Sequence, residues 1–166
     1  MNKYIISMLV SNQSGVLTRI SGMFARRGFN ISSLAVCETE NPDFSRMTIT
    51  MLGEDCDRDQ SIKQLQKLHD VYEIKEMHPN EIVSRELALI KICTNKENRQ
   101  DIMDAVNVFR SKIIDFTTES ICVEMTGETD KIEAFIKLVE PFGIIELCRT
   151  GIVSLDRGSK SLKNNQ

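Results

Sequence analysis

The sequence predicts an α+β fold of two tandem ferredoxin-like (β-α-β-β-α-β) units, each an antiparallel sheet with both helices on one face. Three observations predict it. Short runs with period-two alternation are interleaved with amphipathic runs of helical period. The order strand, helix, strand, strand, helix, strand runs from Tyr4 to Met77 and repeats from Arg85 to Cys148. Between the two copies, His78-Pro79-Asn80 breaks the pattern and sets the domains at 1–78 and 79–166.

Tyr4 to Ser11 is the first strand, an apolar run too short for a helix. Val16, Leu17, Ile20, Met23 and Phe24 then recur at helical spacing, and Gly28 stops that helix. Phe29 to Cys37 is the second strand and Asn41-Pro42-Asp43 a turn. Arg46 to Leu52 alternates cleanly, with Met47, Ile49 and Met51 on one face. A helix from about Asp57 to His69 turns Ile62, Leu65 and Leu68 inward, and Val71 to Met77 closes the first unit.

In the second unit, Arg85 to Thr94 is a strand and Lys96 to Arg110 a helix with Ile102, Val106 and Phe109 on one stripe. Lys112–Thr117 and Ser120–Thr126 are strands. Thr129 to Val139 is a helix carrying Ile132, Phe135, Ile136 and Val139. Gly143 to Cys148 is the last full strand, and Gly151 to Leu155 extends it or docks nearby. From Arg157 the chain is polar apart from Leu162 and is expected to be loose. Sheets this small leave edges and one open face, so a homodimer is expected.

Composition narrows the function. The 166 residues carry a formal net charge of -3 and 5% aromatics without tryptophan. That argues against broad electrostatic or stacking recognition of nucleic acid. No apolar run approaches the roughly 20 residues of a membrane helix. The N-terminal run is short, alternates like a strand and lacks a small-residue cleavage site, so a cytoplasmic location is expected. Five scattered cysteines (Cys37, Cys56, Cys93, Cys122, Cys148) read as buried or idle thiols, not a disulfide framework.

Catalytic motifs are missing. The only histidines are His69 and His78, and there is no C-x-x-C or H-E-x-x-H, so no metal is expected. No phosphate loop, nucleophile elbow or dinucleotide fingerprint occurs. The carboxylates read as a solvated surface for nearly all 24 of them. No catalytic residue is assigned, which leaves binding.

The stretch that suits binding is Asn12-Gln13-Ser14-Gly15-Val16-Leu17, where the first strand gives way to the first helix. A helix start presents unpaired N–H groups and partial positive charge, which favours a small anion such as a carboxylate. Gly15 has no Cβ and permits an unusual backbone angle. A capped turn without a ligand accounts for the same residues. Asn30 opens the second strand near the far end of the helix. It need not lie near this loop within one chain; a dimer could bring Asn30 of one copy to the loop of the other, and a plain turn residue accounts for it as well.

These stretches carry a resemblance. Asn12 to Leu17, Arg26-Arg27-Gly28-Phe29-Asn30-Ile31-Ser32-Ser33-Leu34 and Ser45-Arg46-Met47-Thr48-Ile49 resemble the regulatory (small) subunit of acetolactate synthase, also called acetohydroxyacid synthase. So do Phe109 to Asp115 and Pro141 to Gly151. The resemblance implies an ACT domain in the first half that senses a branched-chain amino acid, typically valine, and a related fold in the second. It implies a subunit without an active site that activates a separate catalytic subunit and makes it subject to valine feedback. Thiamine diphosphate, Mg and FAD would belong to that partner, with no cofactor in this chain. Effector contacts would fall on Asn12, Ser14, Gly15, Val16 and Leu17 of one protomer and on Asn30 and Ile31 of the other. The carboxylate would meet N–H groups near Gly15 to Leu17, the ammonium Asn12 and Asn30, and the side chain Val16, Leu17 or Ile31.

Other readings are a free-standing ACT-type sensor acting on another partner, an RNA-recognition-like module and a free-standing enzyme. The third strand offers Met and Thr where an RNA-recognition domain has aromatics.

Overall fold

The computed structural model describes residues 2–164. By internal contacts the chain forms two units, one holding residues up to Ser84 together with those from Ile152 onward, the other Arg85–Gly151. The division therefore lies at Ser84/Arg85 instead of 78/79, and the C-terminal segment groups with the first unit.

In the first unit, β1 (Asn2–Ser11), α1 (Val16–Arg26), β2 (Ile31–Glu38), β3 (Phe44–Gly53), α2 (Asp55–Leu65) and β4 (Val71–Glu76) follow the expected sequence of elements. The sheet order is β2-β3-β1-β4. β1 pairs antiparallel with β3 from Asn2↔Gly53 to Ser11↔Phe44. Tyr4, Ile6, Met8 and Val10 of β1 and Met47, Ile49 and Met51 of β3 pack under Val16, Ile20, Met23 and Phe24 of α1 and Leu65 of α2. Helix α1 ends as its sequence predicts. Gly28 has φ +70°, its N–H donates to the Ala25 carbonyl, and the Phe29 N–H donates to the Phe24 carbonyl. Helix α2 stops at Leu65, short of His69. Beyond it Lys67 and Leu68 donate to the carbonyls three residues back, Gln64 and Leu65, which tightens the last turn.

The outer face of this sheet is covered, contrary to the expectation of an open face. Strand β9 (Val153–Asp156) lies over it with Ser154 and Asp156 turned inward. Arg46 Nη2 donates to the Ser154 carbonyl at 2.9 Å and Lys75 Nζ meets Asp156 Oδ1 at 2.7 Å. Ile152 is buried with Ile5, Met77 and Ile82, so Gly151 to Leu155 docks and does not extend the preceding strand. The tail is not loose either. Leu162 is 3% exposed in a short 3-10 turn, Leu162–Asn164, and Lys163 pairs with Glu40. One apolar side chain at the right distance suffices to seat a polar tail. The final two residues of that tail, 165 and 166, lie outside the described residues.

The second unit contains most of β5 (Ile82–Cys93), then α3 (Arg99–Val108), β6 (Lys112–Phe116), β7 (Ser120–Gly127), α4 (Thr129–Val139) and β8 (Ile144–Arg149). The strand order β6-β7-β5-β8 repeats that of the first unit. Ala88, Ile90, Ile92, Ile121, Val123 and Met125 face Ile102, Val106, Ile132, Phe135 and Val139 of the helices. Phe109 meets Phe135 edge-on, with ring centroids 5.3 Å apart. Helix α3 ends without a glycine. Arg110 adopts φ +53°, its N–H donates to the Asn107 carbonyl, and the Ser111 N–H donates to the Val106 carbonyl.

Of the two alternatives for the cysteines, buried or idle, burial does not hold. Four are exposed and Cys122 is half-buried, all as free thiols. Cys93, for example, follows the core residue Ile92, so strand alternation turns it outward. Among the carboxylates one exception to a solvated surface joins three elements. Glu86 is 4% exposed and receives Arg149 through two bonds of 2.8 and 2.9 Å, while Arg149 Nη1 reaches Glu133 at 2.5 Å. This ties β5, β8 and α4 together. Among the described residues, no helix is long and apolar enough to cross a membrane.

Candidate functional site

The loop between β1 and α1 is built as an open helix start. Gly15 is the N-cap residue with φ +85°, a left-handed conformation that L side chains rarely adopt, and no side chain caps the helix. Arg19 N–H donates to the Gly15 carbonyl at 3.0 Å, and Val16 N–H reaches the Gln13 carbonyl only at 3.4 Å. The N–H groups of Gly15, Leu17 and Thr18 find no acceptor among the described residues. Ser14, Gly15 and Leu17 are exposed, so these donors face the outside at the positive end of α1.

Asn12 does not simply project from the loop. Its Nδ2 donates to the Pro42 carbonyl at 2.8 Å and to Glu38 Oε1 at 3.1 Å, and its Oδ1 accepts from Ser45 Oγ at 3.0 Å. Its backbone N–H donates to the Asp43 carbonyl at 2.8 Å. Both amide hydrogens are spent in clamping the loop to the β2–β3 turn. One Oδ1 lone pair stays free for an ammonium, and the Glu38 carboxylate lies beside it.

A cationic group missed by sequence reading borders the loop. Arg19 Nε donates to Asp70 Oδ2 at 2.6 Å. The hydrogen bond from Arg19 holds the Asp70 carboxyl below its usual pKa. The guanidinium lies so close to Gly15 that a Cβ there would meet Arg19 Nη1 at 3.2 Å. The signal was available: Arg19 lies one helical turn after Gly15, and Asp70 just before β4.

The remaining predicted positions divide clearly. Val16 is 3% exposed and its side chain belongs to the core, so it offers a ligand only its backbone. Leu17 is 44% exposed and free to contact one. Ile31 is half-buried against the core, and Asn30 is exposed just before β2. Asn30 and the Asn12 partner Glu38 stand at opposite ends of that strand, about 26 Å apart at roughly 3.3 Å per residue. One chain does not bring Asn12 and Asn30 together.

The matching loop of the second unit is built differently. Asn95 Oδ1 accepts from the N–H groups of Glu97 and Asn98 at 2.8 and 2.9 Å. Asn98 Oδ1 accepts from Asn95 N–H at 2.8 Å and from Thr94 Oγ1 at 3.2 Å. Side chains there occupy the N–H groups just ahead of α3, the N-cap Asn98 included, whereas the N-cap Gly15 keeps its N–H open; neither helix start carries a side-chain cap. Among the described residues no group of three or more His, Cys, Asp or Glu is placed to hold a metal ion.

Comparison with known proteins follows the division into units. Residues 6–73 match the family described as "AHAS small subunit-like ACT domain", and residues 85–158 match "Small subunit of acetolactate synthase". The acetolactate synthase small subunit of Mycolicibacterium smegmatis is 47% identical over 159 residues, 96% of this chain and 94% of that protein. A probable acetolactate synthase small subunit from Methanothermobacter thermautotrophicus is 43% identical over 160 residues, 96% of this chain and 95% of that protein. The crystal structure of the acetolactate synthase small subunit from Thermotoga maritima superposes with a TM-score of 0.88 at 41% identity, covering 96% of this chain and all of that one.

Proposed function

The chain belongs to the acetolactate synthase small-subunit family, and from that premise we propose that it activates a catalytic acetolactate synthase subunit and makes that subunit sensitive to valine. In this reading the reaction's cofactors, thiamine diphosphate with Mg and FAD, belong to the catalytic partner. This chain supplies the sensor.

The observation that carries the reading is the first loop, where open N–H donors at a left-handed Gly15 stand beside Arg19 on one side and Asn12 with Glu38 on the other. In the second unit the N-cap is Asn98, whose own N–H is taken by Asn95. A small α-amino acid fits this first loop. Its carboxylate accepts from the N–H groups of Gly15, Leu17 and Thr18, with the Arg19 guanidinium alongside. Its ammonium donates to Asn12 Oδ1 and the Glu38 carboxylate. Its branched side chain packs on exposed Leu17. Hydrogen bonds to a charged group contribute roughly 1.5–3 kcal/mol each, enough for the reversible binding that feedback needs.

A homodimer completes the pocket in this account. β2 is an edge strand and is only half covered along its length. Two copies pairing antiparallel through β2 would bring Asn30 and Ile31 of the partner subunit to the Glu38 end, beside the Asn12 loop. Occupancy would then bias how the two copies sit, and the catalytic subunit would read that bias.

Reconstitution tests this. Acetolactate formation by a catalytic subunit should rise when this chain is added and fall again with L-valine. In calorimetry, Asn12→Ala and Gly15→Asp should each abolish the L-valine signal while the dimer persists in sedimentation. Unchanged valine affinity in both variants would refute the assignment.

A further inference from the structure

The β2–β3 turn is held from two directions. From one side Asn12 grips it through the carbonyls of Pro42 and Asp43, through Glu38, and through Ser45 at the start of β3. From the other side the C-terminal segment grips the same hairpin. Lys163 pairs with Glu40 in the turn, and Arg46, the residue after Ser45, donates to the Ser154 carbonyl. The effector loop and the C-terminal segment thus share one bracket, residues 38–46.

The segment is seated in a way that favours opening. Beneath it lies a polar layer of Ser7, Arg46, Thr48 and Lys75 facing Ser154 and Asp156. The Asp156 side chain is 1% exposed. Ser7 Oγ, Arg46 Nε, Ser154 Oγ and Asp156 Oδ2 are buried without a hydrogen-bond partner among the described residues. Polar groups left unpaired on burial weaken the closed state. The sheet below rests on a dry apolar core on its other face. The cover therefore lifts more readily than the sheet unfolds, which makes it an element with two arrangements.

We propose that this C-terminal strap, residues 152–164, senses occupancy of the loop at Asn12–Leu17: an α-amino acid bound there holds the strap down, and a lifted strap weakens binding there. The proposal rests on the loop being the amino-acid site and names how that site is regulated. The sign follows from the bonds. An ammonium uses the free lone pair of Asn12 Oδ1, so the grip on the turn survives ligand binding and is stiffened by it. The strap also continues directly from the second unit through Gly151, so a change in its seating reaches that unit along the chain.

Hydrogen exchange read by mass spectrometry on the full chain tests the idea, with L-valine as the probe. Saturating L-valine should slow exchange of amides in 152–162 by about fivefold or more, the low end of usual allosteric coupling. By reciprocity, the Asp156→Asn/Lys163→Ala double variant, whose strap opens more often, should bind L-valine more weakly by up to the same factor. The wild-type comparison with and without ligand needs no variant to fold. If calorimetry shows L-valine bound to the wild-type chain but strap exchange is unchanged, the coupling is wrong and the site stands. If no L-valine binds, the site assignment falls and the coupling with it.

Discussion

Gly15→Ala is expected to destabilise the first unit by about 1–2 kcal/mol while leaving its fold intact. Gly15 sits at φ +85°, where an L side chain costs roughly 1–2 kcal/mol. The new Cβ would also lie 3.2 Å from Arg19 Nη1. That guanidinium ends a flexible side chain that is 50% exposed, so it can swing away. Doing so loosens its pair with Asp70, which as a surface ion pair adds little. Gly22 in the same helix provides a contrast of opposite sign. Nothing lies within 4 Å of a Cβ built there, so Gly22→Ala should stabilise by roughly 0.8–1.0 kcal/mol through helix propensity. Urea denaturation followed by circular dichroism separates the two. With m near ~2 kcal/mol/M, the midpoint should fall by roughly 0.5–1 M for Gly15→Ala and rise by roughly 0.4–0.5 M for Gly22→Ala. Two shifts of the same sign, or a Gly15→Ala midpoint equal to that of the wild type, would refute the assigned backbone strain.

Three further outcomes follow from single contacts. Arg149→Met strands Glu86, which is 4% exposed, and should cost the second unit about 3–5 kcal/mol in chemical denaturation, as removal of one partner of a buried ion pair does. Arg110→Gly relieves the left-handed residue that ends α3 and should raise stability by about 1 kcal/mol, read as a higher unfolding midpoint. Because Arg19 lowers the pKa of Asp70 in the folded chain, the contribution of this pair is complete above the ordinary carboxylate pKa near ~4. It is lost as pH falls through the lowered value, so Asp70→Asn should lower stability at neutral pH, leave the acid end little changed and so flatten the acid limb between them.

Much of this fold was legible because periodicity reports burial. The stripe Val16, Ile20, Met23, Phe24 and the alternation of Met47, Ile49 and Met51 are direct images of one-sided packing. The open helix start was legible too, since Gly15 and the unpaired donors follow from local chain geometry. Contacts between residues distant in sequence were not legible. Nothing near Glu86 announces Arg149, 63 positions later, and nothing near Lys75 announces Asp156. The docking of Gly151 to Leu155 was legible only as one of two alternatives, because its inward Ser154 is polar like the layer it meets. The tail from Arg157 was misread as loose because Leu162 is its one bulky apolar residue. The part of Asn12 left for a ligand was not legible, because side-chain type alone does not reveal that Glu38 and the β2–β3 turn already use both its amide hydrogens.

A crystal structure of the full chain grown with L-valine tests the central claim most directly. The account predicts density for the amino acid with its carboxylate on the N–H groups of Gly15 to Thr18, its ammonium near Asn12 Oδ1 and Glu38, and Asn30 of the partner subunit closing the pocket. An empty loop at saturating L-valine, or Asn30 of the partner subunit remote from the loop in every assembly, would contradict it.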